Sequence, residues 1–405
     1  MAAGIDVDRR TYVRERFGSR NAASRALFDR EAERLAHACE AMSSRFLRGG
    51  RLLAFGRGAA ATDAQHVSVE FVHPVIVGKR ALPALDLSAA FESWLPAIVR
   101  DVDIAMAFSS PAGDPGVDAA LDAAAAAGAL TLALPGRHGD FAIDAPSPDP
   151  LVSQELVEVL YHTLWETVHV FFEHGATNGD RHPALQTSAD ELGASAFLYP
   201  FLGGPSATPD VVGGVAASIR AKAAEDERLR EEVAREQGEQ IVAAARAIRE
   251  RILGGATLLM FGNGGSATDA NDWALDCVGP MGALPAVRAI SLSMEPANIT
   301  AIANDVGQEV IFLRQLIAHG RRGDVAIAIS TSGGSANVIA ALEEARRRGM
   351  LTVALLGYDG GEIARRGLAD FPIVVRCDYI PRIQEVQASI YHVMTEILRQ
   401  PGGTL

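Results

Sequence analysis

Residues 323–357 read GDVAIAISTSGGSANVIAALEEARRRGMLTVALLG. A short run that is apolar at every position, Val325–Ile329, leads into a turn of hydroxyls and glycines, Ser330–Ser335. A stretch with apolar residues at three- and four-residue spacing follows, then a second apolar run, Leu351–Leu356. Strands that are apolar on both faces and joined by a helix belong to a buried parallel sheet covered on each side. Ligands of such sheets sit beyond the carboxyl ends of the strands, where the Ser330–Ser335 turn falls.

The turn suits an oxyanion. Gly333 and Gly334 let the backbone turn tightly and present N–H groups. The helix that follows adds a favourable dipole at its N-terminus. Ser330, Thr331, Ser332 and Ser335 supply four hydroxyl donors. A capped helix behind a solvated turn is the competing reading, but a cap uses one hydroxyl, not four. Upstream, ATLLMFGNGGSATDAND (256–272) places a second glycine turn, Gly262–Ser266, between a strand and a helix. Alone it is as readily a plain tight turn. It fits GxGxxG poorly and has no acidic ribose partner, which argues against a dinucleotide.

Both segments have earlier counterparts. RLLAFGRGAAATDAQH (51–66) repeats the glycine turn, with Gly56 aligned to Gly262. DVDIAMAFSSPAGDPGVDAALDAAAAAGALTLALPG (101–136) repeats the quoted stretch, with Ser109 aligned to Ser330. SQELVEVLYHTLWE (153–166) matches IQEVQASIYHVMTE (383–396), with Gln154 on Gln384 and His162 on His392. The offset grows from 206 to 221 between the first two pairs, so the first copy lacks 15 residues there. Helical stretches, roughly 22–47 and 216–253, precede the glycine turns. A segment rich in Gly, Pro, Ser, Thr and Asp separates the copies. The expected division is a domain over 1–178, a linker over 179–211 and a domain over 212–405.

The bulk numbers fit two ordinary globular domains. The chain has 405 residues, 48% hydrophobic and 21% charged, with a net charge of -13. Such a surface repels nucleic acid and anionic membrane, so neither is expected as a partner. Cys39, Cys277 and Cys377 are odd in number and form no CxxC pair, which argues against a disulfide framework. The N-terminus shows no signal-peptide core and no run reaches membrane-spanning length, so a cytoplasmic location is expected.

GNGGSATDA, ISTSGGSANVIAALEEARRRGM and YIPRIQEVQASIYHVMTEIL together resemble phosphoheptose isomerases of the SIS family, in the family's own order. The resemblance implies an α/β protein of two tandem SIS domains, each a parallel sheet flanked by helices in a flavodoxin-like three-layer sandwich. It implies aldose–ketose isomerisation between sedoheptulose 7-phosphate and a heptose 7-phosphate through an enediol. A Glu and a His act as base and acid, and some members hold zinc through His, Glu, Gln and His. Carried over, the substrate residues are Asn263, Ser266, Asp305, Ser330, Thr331, Ser332, Ser335 and Gln384. The catalytic residues are Glu70, His162 and His392, and the zinc ligands His66, Glu70, Gln154 and His162. The family's homotetramer becomes here a homodimer forming a pseudo-tetramer of domains.

The copies depart from the family differently. In the second, the family's His and Glu four residues apart become Asp272 and Asp276, which read equally as solvated helix residues. In the first, His66 and Glu70 are intact, but the hydroxyl loop becomes Ser109-Ser110-Pro111-Ala112-Gly113-Asp114. Pro111 removes a donor and Asp114 repels phosphate. The expectation is a divided mechanism, with phosphate held by the second copy and protons moved by the first. His66 and Glu70 share a helix face and can meet one metal or one carbon, although such pairs are also ordinary surface contacts. Gln154 and His162 lie about 12 Å apart on an ideal helix, a long reach for one metal. His392 reads equally as a satisfied helix histidine, and His169 as a surface or interface residue. Two alternatives remain: a non-catalytic SIS module that senses a sugar phosphate or binds a protein, and an isomerase for another sugar phosphate.

Overall fold

The computed structural model describes residues 9–74, 79–175, 211–279 and 287–400. The chain forms two compact units, Ala22–Ala224, and Met1–Asn21 together with Glu225–Leu405.

The unit built from the first copy contains β1 (Leu52–Gly56), α2 (Ala60–Val72), β2 (Ala84–Asp86), α3 (Phe91–Ile98) and β3 (Ile104–Phe108). It continues with α4 (Pro115–Ala126), β4 (Leu130–Ala133), β5 (Phe141–Ala142) and α5 (Pro150–Gly175), and most of α1 (Arg9–Leu47) belongs to it. Its sheet runs β2-β1-β3-β4-β5, parallel throughout. This is the flavodoxin-like order.

The second copy's elements are α6 (Val211–Leu253), β6 (Thr257–Phe261), α7 (Gly265–Val278), β7 (Arg288–Ser291), α8 (Pro296–Asp305), α9 (Ile311–His319) and β8 (Val325–Ser330). Then come α10 (Ala336–Arg347), β9 (Leu351–Gly357), α11 (Gly361–Arg365), β10 (Phe371–Val375) and α12 (Ile380–Arg399). The order β10-β9-β8-β6-β7 repeats the topology of the first sheet. The 15-residue difference is now located: a lone α3 in the first copy stands where α8, a 3₁₀ turn and α9 stand in the second.

The apolar strands follow from the three layers. In β8, Val325, Ile327 and Ile329 join one core while Ala326 and Ala328 join the other. In β1, Leu52 and Ala54 face one core, Leu53 and Phe55 its opposite. Edge strands β2, β5 and β7 were not anticipated. β7 is half exposed and mixes Arg288 with Ile290, so it has no continuous apolar run to read.

Polar details repeat as well. Asp103 accepts from the Arg51 backbone N–H at 2.9 Å, and Asp324 accepts from Thr257 N–H at 2.8 Å. Asp140 and Asp370 each accept from a threonine N–H, of Thr131 and Thr352, at 2.9 Å. Ser88 and Ser293 accept the N–H of Gly56 and Gly262, the glycines that close the first strand of each sheet.

The division differs from the sequence-based one at the long helices. Tyr12, Val13 and Phe17 are buried in one core with Leu229 and Ile241, so the first 21 residues complete the second unit. Val215, Ala216, Ile219 and Ala223 are buried with Leu27 and Leu35, so the start of α6 completes the first. Each arm also places a base on the last helix of the unit it joins. Arg16 and Arg20 meet Glu396 at 2.9 and 2.8 Å, and Lys222 pairs with Glu166. The linker expected over 179–211 lies, except for Val211, outside the described residues.

Candidate functional site

The hydroxyl loop leaves β8 at Ser330, whose register partner in β9 is Leu356. Gly333 adopts φ +59°, and a Cβ there would stand 2.2 Å from the Gly360 carbonyl oxygen, so only glycine fits. Ser330 Oγ accepts the Gly333 N–H at 3.1 Å, and Ser332 Oγ accepts the Gly334 N–H at 3.2 Å. Both contacts use the oxygens as acceptors, and each hydroxyl keeps its hydrogen to donate. Ser335 stands at the N-cap of α10 without a side-chain cap bond, so capping does not account for its hydroxyl. Thr331 accepts the Gly357 N–H through its carbonyl, which pins the loop to the end of β9.

The glycine turn lies beside it, because β6 and β8 pair. Asn263 and Asn337 exchange amide hydrogen bonds at 2.9 Å across the two turns, and Ser266 is buried in the first turn of α7. Asp305 ends α8, exposed, and accepts from Asn304 at 2.7 Å. Gln384 is buried on α12, two turns before His392.

α7 also carries Asp272 and Asp276, and the structure corrects the solvated reading of both. Asp272 is 3% exposed, and the Asp276 side chain 11%. His392 Nε2 stands 3.4 Å from an oxygen of each. Tyr391, stacked on Trp273, donates its hydroxyl to Asp272 at 2.8 Å. Burial pushes the Asp272 carboxyl up, against the pull of His392 and Tyr391. His392 is thus held between two carboxylates, in the same compact unit as the hydroxyl loop.

The first copy groups different residues. His66 Nε2 and His162 Nε2 are 3.4 Å apart, and Glu70 Oε1 is 3.8 Å from His66. Donor atoms of His66, Glu158 and His162 lie within 4.8 Å of one another, all buried. Burial, with His162 beside it, drives His66 well below its ordinary value, so its imidazole is neutral. Gln154, expected in this set, donates its side-chain amide N–H to Ala59 O and Thr62 Oγ1 at 3.4 Å. Glu158 was missed. Its signal is a lone carboxylate in the apolar run Val157–Leu160, one turn before His162. His169 is corrected too. It is buried between the carbonyls of Trp165 and Arg80, and burial takes it down to about 3.

The first copy's loop agrees with its degenerate sequence. Asp114 caps α4, accepting from Gly116 and Val117 N–H at 2.8 and 3.1 Å. Arg57 meets Asp114 at 3.3 Å and pairs with Glu92. The anion position at this helix N-terminus is filled by the protein's own carboxylate.

Fold and loop together define an SIS-type α/β domain, and the SIS domain family model matches residues 223–357. The chain belongs to the phosphoheptose isomerase family. It is 42% identical over 180 residues to the phosphoheptose isomerase of Chlorobaculum tepidum, covering 44% of this chain and 85% of that protein. It is 39% identical over 186 residues to that of Geotalea daltonii, covering 45% of this chain and 94% of that protein. The solved C-terminal domain of glucosamine-fructose-6-phosphate aminotransferase from Francisella tularensis matches 96% of this chain and 95% of its own. Its TM-score is 0.60 at 9% identity, a likeness of fold. Among the described residues no helix is long and apolar enough to cross a membrane.

Proposed function

We propose that this chain is a sugar-phosphate aldose–ketose isomerase whose second copy carries the reactive site, with sedoheptulose 7-phosphate and a heptose 7-phosphate as its substrate pair. One observation carries the reading: the intact hydroxyl loop and the Asp272–His392–Asp276 cluster occur in the same compact unit. Ser330, Thr331, Ser332 and Ser335 hold the phosphate with backbone N–H groups of the loop. Asp276, the more accessible carboxylate, takes the proton α to the carbonyl and returns it to the neighbouring carbon of the enediol. Asp272, fixed by Tyr391, orients His392, which moves the proton between the two oxygens. The relatives named phosphoheptose isomerase support the substrate class.

Zinc, which the resemblance associates with the first copy, fits that copy's donors. Two buried imidazole nitrogens at 3.4 Å and nearby carboxylates are the ligand types and spacing it uses. When bound it acts as a Lewis acid. The steps proposed for the second copy use protein groups alone. A homodimer is the assembly this reading expects.

Turnover of sedoheptulose 7-phosphate by single variants tests the proposal. Asp276→Asn is expected to lower kcat by about 100-fold or more with KM little changed. Ser332→Ala is expected to raise KM by about 10-fold, the loss of one hydrogen bond to a charged group. Binding without turnover in the wild type would instead identify a sensor. Loss of turnover in Glu70→Gln but not Asp276→Asn would place the reaction in the first copy.

A further inference from the structure

We infer that Asn337 is a positioning residue for the phosphate grip: with Asn263 it forms an amide clasp that holds the glycine turn against the hydroxyl loop and leaves the start of α10 open to the anion. This role rests on the proposed function, which puts the substrate phosphate in that loop. Asn337 lies outside the residue set carried over from the family.

The pair is reciprocal. Asn263 Nδ2 donates to Asn337 Oδ1, and Asn337 Nδ2 donates to Asn263 Oδ1, both at 2.9 Å. Asn337 Oδ1 also accepts the Val338 N–H at 2.9 Å. One amide thus ties the turn after β6 to the loop after β8 and satisfies a donor in the first turn of α10. Both side chains are neutral, so the clasp brings no charge to the site. Below it the two strand ends meet closely. A Cβ on Gly262 would stand 2.8 Å from the Ile329 carbonyl oxygen.

The first copy supplies the comparison. The base of the gap is alike there, with a Cβ on Gly56 falling 3.0 Å from the Phe108 carbonyl oxygen. The tip differs. Arg57 and Gly116 take the positions of Asn263 and Asn337. A Cβ at Gly116 would lie 2.9 Å from the Arg57 guanidinium, so the arginine fills the space of the missing side chain. Arg57 meets Asp114 at 3.3 Å, and Asp114 takes the Gly116 and Val117 N–H groups. In the second copy Ser335, equivalent to Asp114, caps neither Asn337 nor Val338. Asn337 takes the Val338 N–H itself and leaves its own N–H, the counterpart of that of Gly116, for a phosphate oxygen. Two bridges close the same gap. The charged one consumes the helix N-terminus, and the neutral one keeps it free.

Isothermal titration of the full chain with sedoheptulose 7-phosphate, read beside turnover and thermal melting, tests the clasp. Asn337→Ala should weaken binding by about 10-fold, with kcat little changed and the melting temperature unmoved. In an Asn263→Ala background the same change should weaken it by less than about 2-fold, because an open clasp has nothing more to lose. Asn337→Asp keeps the size and still accepts from Asn263, but sets a negative charge beside the phosphate. It should therefore bind more weakly than Asn337→Ala. Unchanged affinity in Asn337→Ala, an equal loss in both backgrounds, or a loss that tracks a fall in melting temperature would overturn the role. So would wild-type affinity in Asn337→Asp. A wild-type chain that binds no sugar phosphate would overturn the proposed function itself, and the clasp's role with it.

Discussion

Asp103 shows how much one buried carboxylate holds in place. It is fully buried and receives Arg51 and Arg100 as well as backbone N–H groups. Burial alone would raise its pKa, but the hydrogen bonds from Arg51 and Arg100 overcome this and hold it at about 2. A folded-state value below the unfolded one gives stability that is present above about pH 4 and is lost as pH falls toward 2. Asp103→Asn should therefore cost about 1–3 kcal/mol near neutrality, a difference that shrinks below pH 4, as urea unfolding at both pH values would show. In the proposed reaction, Tyr391 acts on Asp272 in the same way. Its hydrogen bond lowers Asp272, so Tyr391→Phe should raise that carboxyl and move the acidic limb of the pH–rate profile to higher pH. An unmoved limb would detach Asp272 from the reaction.

At the scale of elements, the sequence was legible where burial is complete on both faces. β8 and β9 read as strands because each of their residues is buried, and the hydroxyl loop between β8 and α10 read as a ligand turn. The edge strands escaped because half-exposed backbone needs no apolar run. Site residues were legible when one helix carries them at i, i+4, as with His66 and Glu70. Glu158 escaped because the family pattern names no residue at its position, and only its approach to His66 and His162 between α2 and α5 singles it out. Asp272 and Asp276 were seen but left open between carboxylates of the site and solvated residues, because nothing in α7 alone shows that His392 and Tyr391 meet them. Gly333 tests the loop itself. Gly333→Ala forces a Cβ onto the Gly360 carbonyl at a left-handed φ, so phosphate affinity should fall by about 10-fold or more while both sheets stay folded. Isothermal titration with sugar phosphate reads this directly.

At the scale of the molecule, duplication was plain in the sequence and the unit boundaries were not. Repeats mark equivalent residues, but they do not say which core an amphipathic arm enters. Tyr12, Val13 and Phe17 enter the second copy's core, with Arg16 and Arg20 on Glu396. Removing the first 21 residues should therefore destabilise the second unit selectively. Hydrogen exchange should rise in α6 beyond Glu225 and in α12, and stay unchanged in β1, β3 and β4.

Proton exchange during turnover tests the central claim most directly. In D2O, an enediol mechanism washes deuterium into carbon 1 of sedoheptulose 7-phosphate, and NMR follows its appearance. The second copy as reactive site predicts wild-type exchange in Glu70→Gln and none in Asp276→Asn or His392→Ala. Exchange that survives Asp276→Asn and His392→Ala but stops in Glu70→Gln would contradict it.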